Sequence, residues 1–129
     1  MLRFLNNYAL TILWLIIMLA LMSMPSNDLP RTNYFAGFDK LAHCGFFFVF
    51  TIFLLQGSVR QTRHNSYKLT LMFVALLISG FFAFLTEGIQ YYLSADRQAD
   101  WWDIFADFVG IGMALFSFLL LYQRKNSTN

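Results

Sequence analysis

Residues 69–92 read LTLMFVALLISGFFAFLTEGIQYY, and no Asp, Glu, Lys or Arg interrupts them between Leu69 and Thr86. A helix rises about 1.5 Å per residue, so a run of this length matches the hydrocarbon core of a bilayer, about 30 Å thick. The run is continuously apolar rather than alternating, and it outlasts a barrel strand of about 10 residues. It therefore predicts a membrane-spanning helix. The stretch ends on a carboxylate, Glu87, followed by the aromatic pair Tyr91–Tyr92, which reads as an interfacial anchor.

Three more stretches share this character: Phe4–Asn27, Leu41–Val59 and Phe108–Gln123. Together they predict a single all-α domain over residues 1–129, a four-helix membrane bundle with spans near Tyr8–Met24, Phe38–Leu55, Leu69–Tyr91 and Trp101–Tyr122. The connections carry the expected punctuation, with Pro25 and Pro30 in the first, Gln56–Lys68 in the second and Ser94–Asp100 in the third. The first span has only Arg3 before it, and its apolar run exceeds the 7–15 residues usual in a signal peptide, so it reads as a retained helix.

Composition agrees. The 129 residues are 58% hydrophobic and 12% charged, with 16 Phe, against about 45–50% and about 25% in ordinary soluble domains. A soluble fold of this size could not hide so much hydrocarbon, since a domain of about 150 residues buries about 70% of its chain surface. This excludes a secreted disulfide scaffold, and the lone Cys44 has no intramolecular partner in any case. The net charge of +2 is too small to suggest a nucleic-acid partner. The lipid bilayer is the expected partner.

The basic residues give orientation. Arg3, Arg60, Arg63, Lys68, Arg124 and Lys125 fall on one side, and Arg31, Lys40 and Arg97 on the other. Six against three predicts cytoplasmic termini in a multi-pass protein of the cytoplasmic (inner) membrane. All seven acids, Asp28, Asp39, Glu87, Asp96, Asp100, Asp103 and Asp107, fall at the outer end. The chemistry is expected to face outward.

Ionisable side chains inside a span cost about 2.5–3.5 kcal/mol on insertion scales and point to function. His43 lies about 6 Å along the second helix from Asp39, and Glu87 about 6 Å below Tyr91. Asp103 and Asp107 lie about 3 and about 9 Å below Trp101. Three helices thus bring polar groups to one level. At about 100° per residue, Asp103, Asp107, Gly110 and Ala114 share one stripe. Ser79, Ala83, Thr86 and Gln90 share another, with Glu87 on its flank. Both stripes should face the interior, around an outward-opening polar pocket.

Structural roles compete with chemical ones. Asp100 fits the N-cap of the fourth helix and Asp103 the third position of a capping box. Asp39 suits the first turn of the second helix, Lys40 suits snorkelling, and His43 suits a packed hydrogen-bonded residue. Glu87 and Asp107 resist such roles, because Glu87 opposes the helix dipole and Asp107 is two turns inside its helix.

Asp39-Lys40-x-x-His43, Glu87-x-x-Gln90, and Arg97 followed by Asp103, Asp107 and Gly110 resemble the VanZ-like membrane proteins. The resemblance runs from about Asp39 to Leu120. It implies a small multi-helix membrane protein of a family linked to teicoplanin (glycopeptide) resistance, with Asp39, Lys40, His43, Glu87, Gln90, Arg97 and Asp103 in its polar signature. Where that pattern usually has Asn, four residues after the Asp, this chain has Asp107.

Three functions follow as expectations. One is a binder of an envelope lipid, a lipid-linked precursor or a glycopeptide, with Asp39, Lys40, Gln90, Arg97 and Asp107 on the ligand. The second is an enzyme on a lipid-linked envelope substrate, with Glu87 or Asp103 as base, His43 as acid and Arg97 as clamp. An oxygen-rich cluster also suits a divalent cation that bridges a substrate phosphate. A proton-coupled transporter is third, with no inverted repeat to support it.

Overall fold

The structure, a computed structural model, describes residues 1–23, 37–62, 68–93 and 100–126. They form four helices: α1 (Leu2–Met22), α2 (Phe38–Thr62), α3 (Lys68–Leu93) and α4 (Trp101–Asn126). Each is long and apolar enough to cross a membrane. The Pro25, Pro30 and Arg97 positions read from the sequence lie outside the described residues.

The helices run alternately up and down. The start of α2 meets the end of α3 and the start of α4, while Gln90 near the end of α3 reaches the end of α1. α2 sits at the centre and packs against all three others, most closely against α4. It is also the least apolar and the most buried of the four spans, and α1 is the least buried. That arrangement follows from the solvent. Lipid tails are as apolar as Leu, so the helix with most to gain from protein neighbours is the one carrying polar groups.

Both interior stripes are buried as their spacing predicts: Ser79, Ala83, Thr86 and Gln90 on α3, and Asp103, Asp107, Gly110 and Ala114 on α4. Thr51 Oγ1 donates to Ser79 Oγ at 3.0 Å and joins α2 to α3 in mid-bundle. Phe73, Leu77, Phe81, Phe105, Met113 and Phe116 point outward, as lipid-facing residues should. Gly110 sets the separation of α2 and α4. A Cβ there would overlap the Cys44 carbonyl, so only a missing side chain permits the approach.

Two boundaries run beyond the apolar stretches. α1 begins at Leu2 rather than near Tyr8, and α2 continues to Thr62 rather than ending near Leu55. The two extensions support each other. Asn7 Nδ2 donates to Gln61 Oε1 at 2.7 Å, and the Tyr8 hydroxyl to Ser58 Oγ at 3.2 Å. Ser58 and Thr62 return their hydroxyls to the carbonyls four residues back, which carries α2 through its polar last turn. At the other end Gly37 sits at φ +94°, a conformation open to glycine, and its carbonyl receives the Leu41 N–H at 3.1 Å. Gly37 thereby fixes the register in which Asp39, Lys40 and His43 follow.

Candidate functional site

The site lies where the start of α2, the end of α3 and the start of α4 meet. Lys40 comes from the first turn of α2. Its ammonium donates to Asp100 Oδ2 at 2.7 Å and to Asp103 Oδ1 at 2.9 Å, tying α2 to the beginning of α4. Lys40 and Asp100 are partly exposed there, with 41% and 42% of their side chains accessible. The Lys40 hydrogen bond, helped by the Trp102 backbone N–H, holds the Asp100 carboxyl below its ordinary range.

One turn deeper the exposure ends. His43 Nδ1 and Asp107 Oδ1 lie 2.9 Å apart, with their side chains 3% and 0% exposed. An ionised carboxylate only accepts, so Nδ1 carries the hydrogen and Nε2 is left to accept or to ligate. The Oδ2 of Asp107 is buried with no partner. An unpaired buried carboxylate oxygen is costly, and such groups are otherwise paired or bound to metals.

Glu87 explains the start of α4. Asp100 is its N-cap: the Asp100 Oδ1 accepts the Trp102 N–H at 2.9 Å. In a capping box the acid at the third helical position returns to the N-cap N–H, and Asp103 holds that position. Here Glu87 of α3 takes the Asp100 N–H instead, its Oε1 accepting at 2.7 Å. The box is closed by another helix, and Asp103 is released to face Lys40. Glu87 itself is 5% exposed, and its Oε2 has no partner.

Asp39 is exposed on the first turn of α2. Asp39, His43 and Asp103 can each present a ligand atom, the three lying within 4.8 Å of one another. Of the sequence-selected residues, Asp39, Lys40, His43, Glu87, Asp103 and Asp107 therefore gather at one level. Gln90 does not join them. It is buried, and its Nε2 donates to the Met22 carbonyl at 3.0 Å, closing the end of α1. Arg97 lies outside the described residues.

Two features were not singled out as site residues in the sequence. Asp100 lies at the centre of the network as cap, Lys40 partner and Glu87 donor; its place three residues before Asp103 signalled only the cap. The second is a cleft of about 300 Å³ between α3 and α4, walled by Phe84, Tyr91, Trp101 and Ile104, with Glu87 and Asp100 as its polar residues. Gly88 floors it, and a Cβ there would meet nothing within 4 Å. Along the outer face of α3 a second, apolar cleft of about 430 Å³ shares Phe84 and Gly88 with the first. The two adjoin at these residues as one groove along α3, lined almost entirely by apolar surface.

No family model matches the chain, and neither a curated protein nor a solved structure does.

Proposed function

We propose that this is a VanZ-like protein of the cytoplasmic membrane that binds an envelope amphiphile, with its polar cluster at the outer face. The observation that carries the reading is the groove on α3. It offers an apolar track for a tail and, at its end, the partly exposed Asp100 carboxylate, with Glu87 buried behind it, for a head that donates hydrogen bonds or carries an amine. Its volume falls within the range of small-molecule sites, about 300–1,000 Å³. An acylated glycopeptide and an amine-bearing envelope lipid share this chemistry. A bare phosphate head would be repelled by the same carboxylates.

Gly88→Leu tests this without touching any charge, since a Cβ there meets nothing within 4 Å and the longer side chain would project into the groove. Amphiphile retained through detergent purification should be identified by mass spectrometry from wild-type protein and lost from Gly88→Leu. Equal retention would refute the groove as the site. Glu87→Gln should fold and insert normally, because the amide oxygen still accepts the Asp100 N–H, yet release the amine head. Full binding by Glu87→Gln, with raised thermal stability, would remove Glu87 from the site.

The orientation rests on the six-to-three base count. A cytoplasmic reporter near Asn65 or after Lys125 should be active, and a periplasmic reporter near Asn33 or Ala95. Periplasmic activity near Asn65 would turn the acidic end to the cytoplasm.

The His43–Asp107 pair favours a second reading, an enzyme on a lipid-linked envelope substrate. A carboxylate that fixes one ring nitrogen orients the other for proton transfer. Envelope lipids compared with and without the protein separate the two. A precursor that accumulates only on loss means turnover, and unchanged precursors with altered antibiotic binding mean binding.

A further inference from the structure

We propose that Asp39, His43 and Asp103 form a binding site for a first-row divalent cation, with Asp107 as the residue that positions the His43 ring. The proposal is independent of the groove on α3, none of whose lining residues is a ligand.

The geometry starts with the donor set. One imidazole and two carboxylates come from two helices, and their ligand atoms all lie within 4.8 Å of one another. Donor atoms around a first-row cation stand roughly 3–4 Å apart. Asp39, exposed on the first turn of α2, is the donor of the set nearest water. Asp103 holds Lys40 through Oδ1, and its second oxygen can serve a cation while that bond persists.

The two carboxylates behind this set supply the independent observation. Asp107 is fully buried, bonded through Oδ1 to His43, and its Oδ2 has no partner. Glu87 is 95% buried, and its Oε2 is also unpartnered. Among the described residues the Lys40 ammonium is engaged by Asp100 and Asp103, and no cation reaches Oδ2 of Asp107 or Oε2 of Glu87. A dication beside two such buried carboxylates would offset the cost of holding them ionised.

The arrangement of His43 points the same way. Histidines that bind metals commonly give their other ring N–H to a carboxylate, which sets the tautomer and aims the ligating nitrogen. His43 gives Nδ1 to Asp107, which leaves Nε2 as the ring atom able to ligate. The imidazole selects the class. Mixed nitrogen and oxygen donors suit Zn²⁺ or Mn²⁺, whereas Mg²⁺ and Ca²⁺ prefer oxygen alone. Exposed Asp39 leaves the cation an edge toward water, so further positions remain for solvent or an incoming oxygen.

The full chain, purified in detergent and stripped with EDTA, is titrated with Zn²⁺ and with Mn²⁺. The readouts are bound metal by elemental analysis and thermal unfolding. One equivalent bound with a raised unfolding temperature is expected for one of the two ions. Asp39→Asn should abolish it with the fold intact, because Asp39 is exposed and the buried pair is untouched. His43→Ala should abolish it as well. Asp107→Asn should weaken it about 10- to 100-fold, the range for loss of an orienting outer partner. Gly88→Leu should bind metal as wild type does, so failure here is distinguishable from failure of the amphiphile reading. Failure of both ions to bind, retention of Mg²⁺ or Ca²⁺ alone, or binding unchanged in Asp39→Asn would overturn the proposal.

Discussion

The two ends of the bundle solve the same problem with different chemistry. Where α1 begins and α2 finishes, the helices are joined by neutral groups, Asn7 with Gln61 and Tyr8 with Ser58. Where α2 begins and α4 begins, they are joined by Lys40 with Asp100 and Asp103, and by His43 with Asp107. The neutral end shows that amides and hydroxyls suffice to hold helices in register. Charges at the other end are therefore more than an assembly requires, and a buried carboxylate with an unpartnered oxygen is a cost that packing alone does not recover.

The largest expected effect breaks the charged side of that contrast. Asp107→Leu leaves the His43 N–H buried without an acceptor and should cost about 3–5 kcal/mol, measured by thermal unfolding in detergent. Asp107→Asn keeps an acceptor for the ring and should lose far less. If both variants lose stability equally, position 107 acts through charge.

Gly110→Ala attacks the same end through shape. The new methyl meets the Cys44 backbone carbonyl, which cannot swing aside, so α2 and α4 must part, at about 3 kcal/mol. Gly57→Ala is its counterpart at the neutral end, where the added carbon would stand 2.6 Å from the Tyr8 ring. That ring can rotate away, and the Asn7 backbone carbonyl, at 3.0 Å, has to give by only a few tenths of an ångström, so the loss should be about 1 kcal/mol. Equal losses at 57 and 110 would mean that the close approach of α2 and α4 has no special role.

Thr51→Val removes the neutral mid-bundle bond to Ser79. Hydrogen bonds of this kind average about 0.6 kcal/mol between membrane helices. A loss as large as that of Asp107→Leu would erase the distinction drawn between the ends.

The smallest effect is an acid dependence. The folded Asp100 carboxyl is held below its ordinary range by Lys40, so its contribution is complete above the unfolded value. It is lost as pH falls through the depressed folded value. Stability measured from about pH 5 down to about pH 2 should decline more steeply in wild type than in Asp100→Asn, which keeps the cap but not the charge. Parallel curves would show that the pair contributes nothing at this exposed position.

Helix number, helix identity and the inward faces of α3 and α4 were legible in the sequence, because apolar length and a 100° periodicity are local properties. Asp103, Asp107, Gly110 and Ala114 announce their shared face by spacing alone. Partnership was less legible. Glu87 stood out as a carboxylate against the dipole, yet nothing near it in the chain foretells that it accepts the Asp100 N–H. Asp103 fitted a capping box by spacing, and the structure gives that bond to Glu87 and turns Asp103 to Lys40. Gln90 shared a stripe with the site but serves the end of α1, since its side chain reaches Met22. Such outcomes depend on how helices rotate against one another, which no single helix encodes.

The pairings between α2 and α4 also set a timetable for biogenesis. Lys40 and His43 find their partners 60 to 64 residues later in the chain. At about 5–20 residues per second that interval is about 3–13 s of synthesis. During it, a nascent chain holds an ammonium and an imidazole at the membrane with α4 not yet made. The second helix must wait beside the insertion machinery, or near the water interface, until the fourth arrives. A ribosome stalled after α3 should therefore leave a chain that crosslinks to the translocon, and release of α2 into lipid should coincide with the appearance of Asp103 and Asp107.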